Sequence, residues 1–151
     1  MLNEDYKDML AALSGAKVKY ILIGAYALAV HGIRRATGDI DLFLEPSVET
    51  SARVLEALKN FGAPLAGIQP DTFAKANIVY QIGVVPRRID LLTSIDGVLF
   101  QDAWAEKKMM HVEGLEIPVI SRRLLMLNKS ATGRPKDQLD LKLLEKIKVM
   151  P

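Results

Sequence analysis

Apolar residues recur along this chain at two spacings, and the switching between them marks out an order of helices and strands. Tyr6, Met9, Leu10 and Leu13 fall on one face at helical spacing. They predict a helix over 3–14, with Asn3 as its cap, Glu4 and Asp5 in its first turn and Gly15 at its end. Residues 18–23 form a short apolar run that reads as a buried strand, broken by Gly24. A compact helix over 25–31 follows, closed by Gly32. Residues 39–44 read as the next strand and Pro46 ends it. Ser47 then caps a helix that runs to about residue 61, with Gly62 just beyond.

The second half predicts two hairpins and two helices. Residues 78–85 and 87–92 read as strands joined tightly around Pro86. Asp96-Gly97 is a turn signal, and 101–107 reads as a short helix with Trp104 in the core. Residues 109–112 and 115–120 form a second hairpin, turning at Glu113-Gly114. Helices over 122–131, capped by Ser121, and 135–148 finish the chain. Strands mixed with helices in this order predict an α+β fold, a mixed sheet with helices packed against it.

Composition narrows this picture without changing it. The 151 residues fit one domain, and 50% hydrophobic with 25% charged is enough to build a core. The absence of cysteine excludes a disulfide framework, a thiolate metal site and a cysteine nucleophile, and it suits the cytoplasm. The N-terminal residues are polar and acidic, unlike a signal peptide, and no apolar run is long enough to span a membrane. A net charge of +2 leaves an anionic ligand open without arguing for nucleic acid.

The chemistry concentrates in carboxylates. On a strand, residues i and i+2 share a face, so Asp39 and Asp41 point together while Ile40 and Leu42 point into the core. Two strand steps separate them by about 6.6 Å. Like charges that close repel unless a cation lies between them, and hard oxygen donors suit Mg²⁺. The alternative is a solvated edge strand, a place where aspartate is disfavoured. Asp90 is another acid inside an apolar strand. It either completes a triad with Asp39 and Asp41 from a neighbouring strand or pairs with Arg87 or Arg88. Three carboxylates can hold two divalent ions about 3.5–4 Å apart, as in phosphoryl displacement. Gly24-Ala25 lies in a strand-to-helix turn, whose backbone N–H groups can cradle phosphate.

Ile23-Gly24-Ala25, Asp39-Ile40-Asp41 and Asp90 in this order resemble the polymerase-beta-type nucleotidyltransferase superfamily. The stretches 24–42 and 129–140 are similar to minimal bacterial and archaeal members, including relatives of the abortive-infection and toxin–antitoxin nucleotidyltransferases. The resemblance spans about residues 20–144. It implies an NTP substrate such as ATP, and two Mg²⁺ ions, or Mn²⁺, held by Asp39, Asp41 and Asp90. It also implies transfer of a nucleoside monophosphate to a hydroxyl on RNA, a protein or a small molecule, with release of pyrophosphate. Gly24 and Ala25 would contact the triphosphate, and Arg35, Thr37 and Lys129 would orient or neutralise it.

One position departs from the pattern: the usual Gly-Gly or Gly-Ser pair reads Gly24-Ala25. Ala25 keeps its N–H but offers no hydroxyl and tolerates positive φ poorly, so weaker or rearranged phosphate binding is expected. A non-catalytic nucleotide-binding or regulatory component of a toxin–antitoxin-type system is the alternative. A partner chain or a homodimer would supply the acceptor surface that so small a chain lacks. His31 is expected to cap or pack, Lys129 is open to an ordinary solvated role, and Asp137 is expected only to begin the last helix after Pro135.

Overall fold

A computed structural model of the protein describes residues 2–34, 38–84 and 86–147. Helices α1 (Glu4–Gly15), α2 (Gly24–Val30), α3 (Val48–Phe61), α4 (Phe100–Ala105), α5 (Arg122–Thr132) and α6 (Pro135–Lys146) alternate with six strands. These are β1 (Tyr20–Ile23), β2 (Ile40–Leu44), β3 (Val79–Ile82), β4 (Ile89–Leu92), β5 (Lys108–Val112) and β6 (Leu115–Val119).

Helix ends follow the polar residues beside them. The side chains of Asn3, Ser47 and Ser121 each accept a hydrogen bond from the backbone N–H three residues on, stopping α1, α3 and α5 from fraying. Gly62 closes α3 in the left-handed conformation. The Glu113-Gly114 turn has positive φ at both residues, the geometry that joins two antiparallel strands tightly.

The strands form one mixed sheet in the order β3-β4-β2-β1-β6-β5. β1 runs antiparallel to β2 and parallel to β6, while β2 runs parallel to β4. Hydrophobic residues of the three central strands are buried, including Ile21, Ile40, Leu42, Leu44 and Leu91, which are at most 1% exposed. α1 and α3 pack together, with Tyr6, Met9, Leu10 and Leu13 of α1 and Val54, Ala57 and Leu58 of α3 in the core.

Several boundaries differ from the sequence reading. β1 starts at Tyr20 because residues 16–18 form the closing turn of α1: Lys17 takes φ +60°, and Val18 N–H donates to the Leu13 carbonyl at 2.9 Å. β2 starts at Ile40, so Asp39 stands just ahead of the strand. The β3–β4 connection is longer than a tight hairpin, with Gly83 at positive φ and Arg87 N–H bonded to the Val84 carbonyl at 2.9 Å. Val85 and the expected end of the last helix at residue 148 lie outside the described residues. Trp104 is half-buried instead of central. It stacks on Phe100 and carries the Lys107 ammonium 4.1 Å from its ring centroid, which an aromatic face at the surface accommodates. Among the described residues, no helix is long and apolar enough to cross a membrane.

Candidate active site

A cleft of about 860 Å³ opens where β1, β2 and β4 end against α5 and α6. Two walls face each other across it, and they are built differently.

The first wall belongs to the sheet. β1 ends at Ile23 and α2 begins at once, with no side-chain cap, so the first-turn N–H groups at Gly24 and Ala25 line the cleft. Gly24 is required twice: its φ is +70°, and a Cβ there would run into the Asp41 carboxylate. The departure at Ala25 is smaller than the sequence suggests, since Ala25 is not among the residues with positive φ and the turn's strained conformation falls wholly on Gly24.

Asp41 and Asp90 are register partners on the parallel strands β2 and β4, which sets their carboxyls side by side. Burial pushes the Asp41 carboxyl up to about 7. The Asp90 charge and hydrogen bond, and then the Asp39 charge, add to the effect, and Arg88 only partly offsets it. Arg88 grips the acids. Its Nε and Nη2 bond both oxygens of Asp90 at 2.8 and 3.1 Å, its Nη2 lies 3.5 Å from Asp39 Oδ2, and its backbone N–H donates to Asp39 Oδ1 at 3.1 Å.

The second wall belongs to the C-terminal helices. Lys129 of α5 is buried, and its ammonium bonds Asp137 at 2.9 Å and Asp140 at 3.2 Å, both on α6. Thr132 Oγ1 and Arg134 Nε also donate to Asp137, at 2.7 and 2.8 Å. Burial opposes ionisation of Asp137, but these three donors outweigh it and hold the carboxyl below its ordinary range. Arg134 and Lys136 extend this wall toward the mouth of the cleft.

Of the residues expected from sequence, Gly24, Ala25, Asp39, Asp41, Asp90 and Lys129 all line this one cleft. Arg35 and Thr37 lie outside the described residues. Lys129 is buried rather than solvated, and Asp137 does more than begin a helix: it and Asp140 form the buried acid face of α6. The available signal was their spacing with Leu144, since 137, 140 and 144 make one helical stripe and acids fill two of its core positions. Arg88 forms the ion pair with Asp90. His31 packs as expected, with Nε2 2.7 Å from the Ile120 carbonyl.

Divalent-cation chemistry fits the first wall in donor type and charge, because Asp41 is crowded by acids with too little positive charge nearby. The side chains are not yet gathered around one point. Among the described residues, no three histidine or acidic side chains stand close enough to enclose an ion. Two of the three acids, Asp90 and Asp39, pair instead with the Arg88 guanidinium.

No protein-family model matches the chain, and no curated protein matches its sequence. Solved structures do match its shape. The lincosamide antibiotic adenylyltransferase LnuA, in its lincomycin-bound crystal structure, superposes with a TM-score of 0.61 at 17% identity, covering 98% of this chain and 99% of LnuA. TM1012 of Thermotoga maritima, described as a nucleotidyltransferase, gives 0.63 at 16% identity over 97% of each chain. The antibiotic-resistance factor ANT(2'')-Ia gives 0.59 at 13% identity over 93% of this chain and 80% of that one. At these identities the likeness shows the fold: a nucleotidyltransferase-type α+β fold over nearly the whole chain.

Proposed function

We propose that the protein is a Mg²⁺-dependent nucleotidyltransferase that moves a nucleoside monophosphate from an NTP to a hydroxyl acceptor and releases pyrophosphate. The observation that carries this reading is the pairing of Asp41 with Asp90 across β2 and β4, directly against the Gly24 turn and inside the one cleft that also contains Lys129.

Each residue then has a task its surroundings support. Asp39, Asp41 and Asp90 would hold the divalent ions, Mg²⁺ or Mn²⁺, and ions bound there would neutralise the phosphates and make the acceptor hydroxyl a better nucleophile. The Gly24 and Ala25 amides point phosphate oxygens toward the α2 N-terminus. Lys129 is paired with Asp137 and Asp140, so it orients this wall, while the exposed Arg134 and Lys136 offset the charge that builds on the departing pyrophosphate. Arg35 and Thr37 keep the triphosphate-binding role that the family resemblance implies. The acceptor hydroxyl belongs to RNA, a protein or a small molecule, and the likeness to LnuA favours the last of these. A second copy or a partner chain supplies what acceptor surface the cleft lacks.

The test uses Mg²⁺ and each α-labelled NTP, with total RNA, protein extract and a panel of small hydroxyl compounds as acceptors. An Asp39→Ala/Asp41→Ala double variant runs beside the wild type. Label transfer by the wild type alone supports the enzyme. Nucleotide binding without transfer supports instead a non-catalytic nucleotide-binding or regulatory component of a toxin–antitoxin-type system. Absence of any metal-dependent nucleotide binding overturns both.

A further inference from the structure

Arg88 stands out because its backbone and its side chain are held so differently. The backbone is fixed: its carbonyl accepts from Ile40 N–H at 3.0 Å and from the Tyr6 hydroxyl at 3.3 Å, and its N–H donates to Asp39. The guanidinium, by contrast, spends its hydrogen bonds on Asp90 and its charge on Asp39. These are two of the three acids assigned above to the metal. The side chain is also about a quarter exposed at the cleft, so it can swing into solvent without disturbing the core.

We propose that Arg88 is an internal stand-in cation: it occupies Asp90 and Asp39 in the metal-free protein and must release them when a divalent ion binds. The inference rests on the metal-binding reading of the three aspartates. Both oxygens of Asp90 are engaged by the guanidinium fork, which takes two of the carboxylate's about four acceptor positions and sets a positive charge against the acid that a metal would have to share. Metal affinity is therefore lowered by whatever it takes to break the Arg88–Asp90 pair, and the acids stay ordered while no metal is bound. The arrangement also explains why three acids on one wall do not converge.

Mn²⁺ binding, measured by electron paramagnetic resonance of the free ion, tests this on wild type, Arg88→Gln, Arg88→Lys and Asp41→Asn. Removing the fork is expected to tighten Mn²⁺ binding roughly tenfold in Arg88→Gln. Arg88→Lys, which keeps the charge but cannot grip both oxygens, is expected to show part of that gain, and Asp41→Asn to lose binding. If both Arg88 variants bind Mn²⁺ as well as or less well than wild type, Arg88 supports the metal site instead of competing for it. The stand-in role is then overturned while the metal site survives. If no protein in the series binds Mn²⁺, the metal reading itself fails and this inference falls with it. Wild-type protein gives a second readout that needs no variant. In a nitrogen-15 arginine spectrum the Arg88 Nε–H should be protected from exchange without metal and lose that protection as Mg²⁺ is added. Protection that persists at saturating Mg²⁺ overturns the proposal.

Discussion

The two walls of the cleft carry acids in similar numbers and treat them in opposite ways. On the helical wall, Asp137 and Asp140 are buried but surrounded by donors, with Lys129 bonded to both. On the sheet wall, Asp41 has acids on two sides and one shared arginine, which itself bonds Asp90. One wall is electrostatically complete and the other is short of positive charge. The difference teaches where to expect stability and where to expect chemistry. A satisfied buried network fixes the packing of α5 on α6, whereas an unsatisfied one stores an affinity for whatever cation arrives.

The largest effect should come from breaking the complete wall. Lys129→Met takes the shared ammonium away from two buried carboxylates, and urea denaturation should show a loss of about 3–4 kcal/mol. Adding Asp140→Leu to that variant is expected to recover a good part of it, since an apolar side chain then replaces a buried charge that has lost its lysine.

Next comes Gly24→Ala. A left-handed backbone and a collision with Asp41 together should cost about 2–3 kcal/mol by the same assay, and label transfer should fall with it.

Asp41→Asn should act in the opposite direction on stability. The Asp41 carboxyl ordinarily titrates at 3.8 and is raised to about 7 in the fold. Between those values the folded protein holds a proton that the unfolded chain has lost, so metal-free stability falls as pH rises through this window. The variant should therefore be more stable than wild type by about 2 kcal/mol at pH 8, after allowing for solvent in the cleft, with little difference below pH 4. Its transfer activity should nevertheless be absent. Asp137 behaves in reverse: its carboxyl is depressed, so its contribution holds above its ordinary range and is lost as pH falls below about 4. Denaturation midpoints of the wild type and Asp41→Asn, compared from pH 3 to 8 without metal, separate the two trends.

The smallest effect is expected at Ala25. Because Ala25 avoids positive φ, Ala25→Ser should change stability by less than about 0.5 kcal/mol, and a change in KM for the nucleotide larger than a few-fold would show that the missing hydroxyl matters.

What the sequence reveals divides along the same line. Features decided by neighbours in the chain are legible: the caps at Asn3, Ser47 and Ser121, and the turn at Glu113-Gly114, whereas Asp39 and Asp41 meet at one cleft although Asp39 stands ahead of the strand. Asp90 is only half legible. Its strand can be read, but its partner cannot, because strand order and register depend on segments far apart in the chain. The complete wall is hidden for a different reason. An acid just after Pro135 fits any solvated helix start, and Leu139, the residue that looks like core, is 53% exposed while Asp140 is fully buried. Apolar periodicity in α6 thus misplaces Leu139 and misses the two acids on the buried stripe with Leu144, and only packing against α5 reveals which face is inside.

The parallel pairing of β2 with β4 also has a consequence for how the protein is made. Asp39 and Arg88 lie 49 positions apart, with α3 in the segment between them. Closing so long a loop is entropically slow, and nothing is gained until the pairing is complete. The acids of the sheet wall thus come together only when the sheet does. A chain released from a ribosome before β4 emerges carries two of the three sheet-wall carboxylates and lacks the pairing with Asp90, so cation binding during refolding should follow the slowest phase and serve as a clock for its completion.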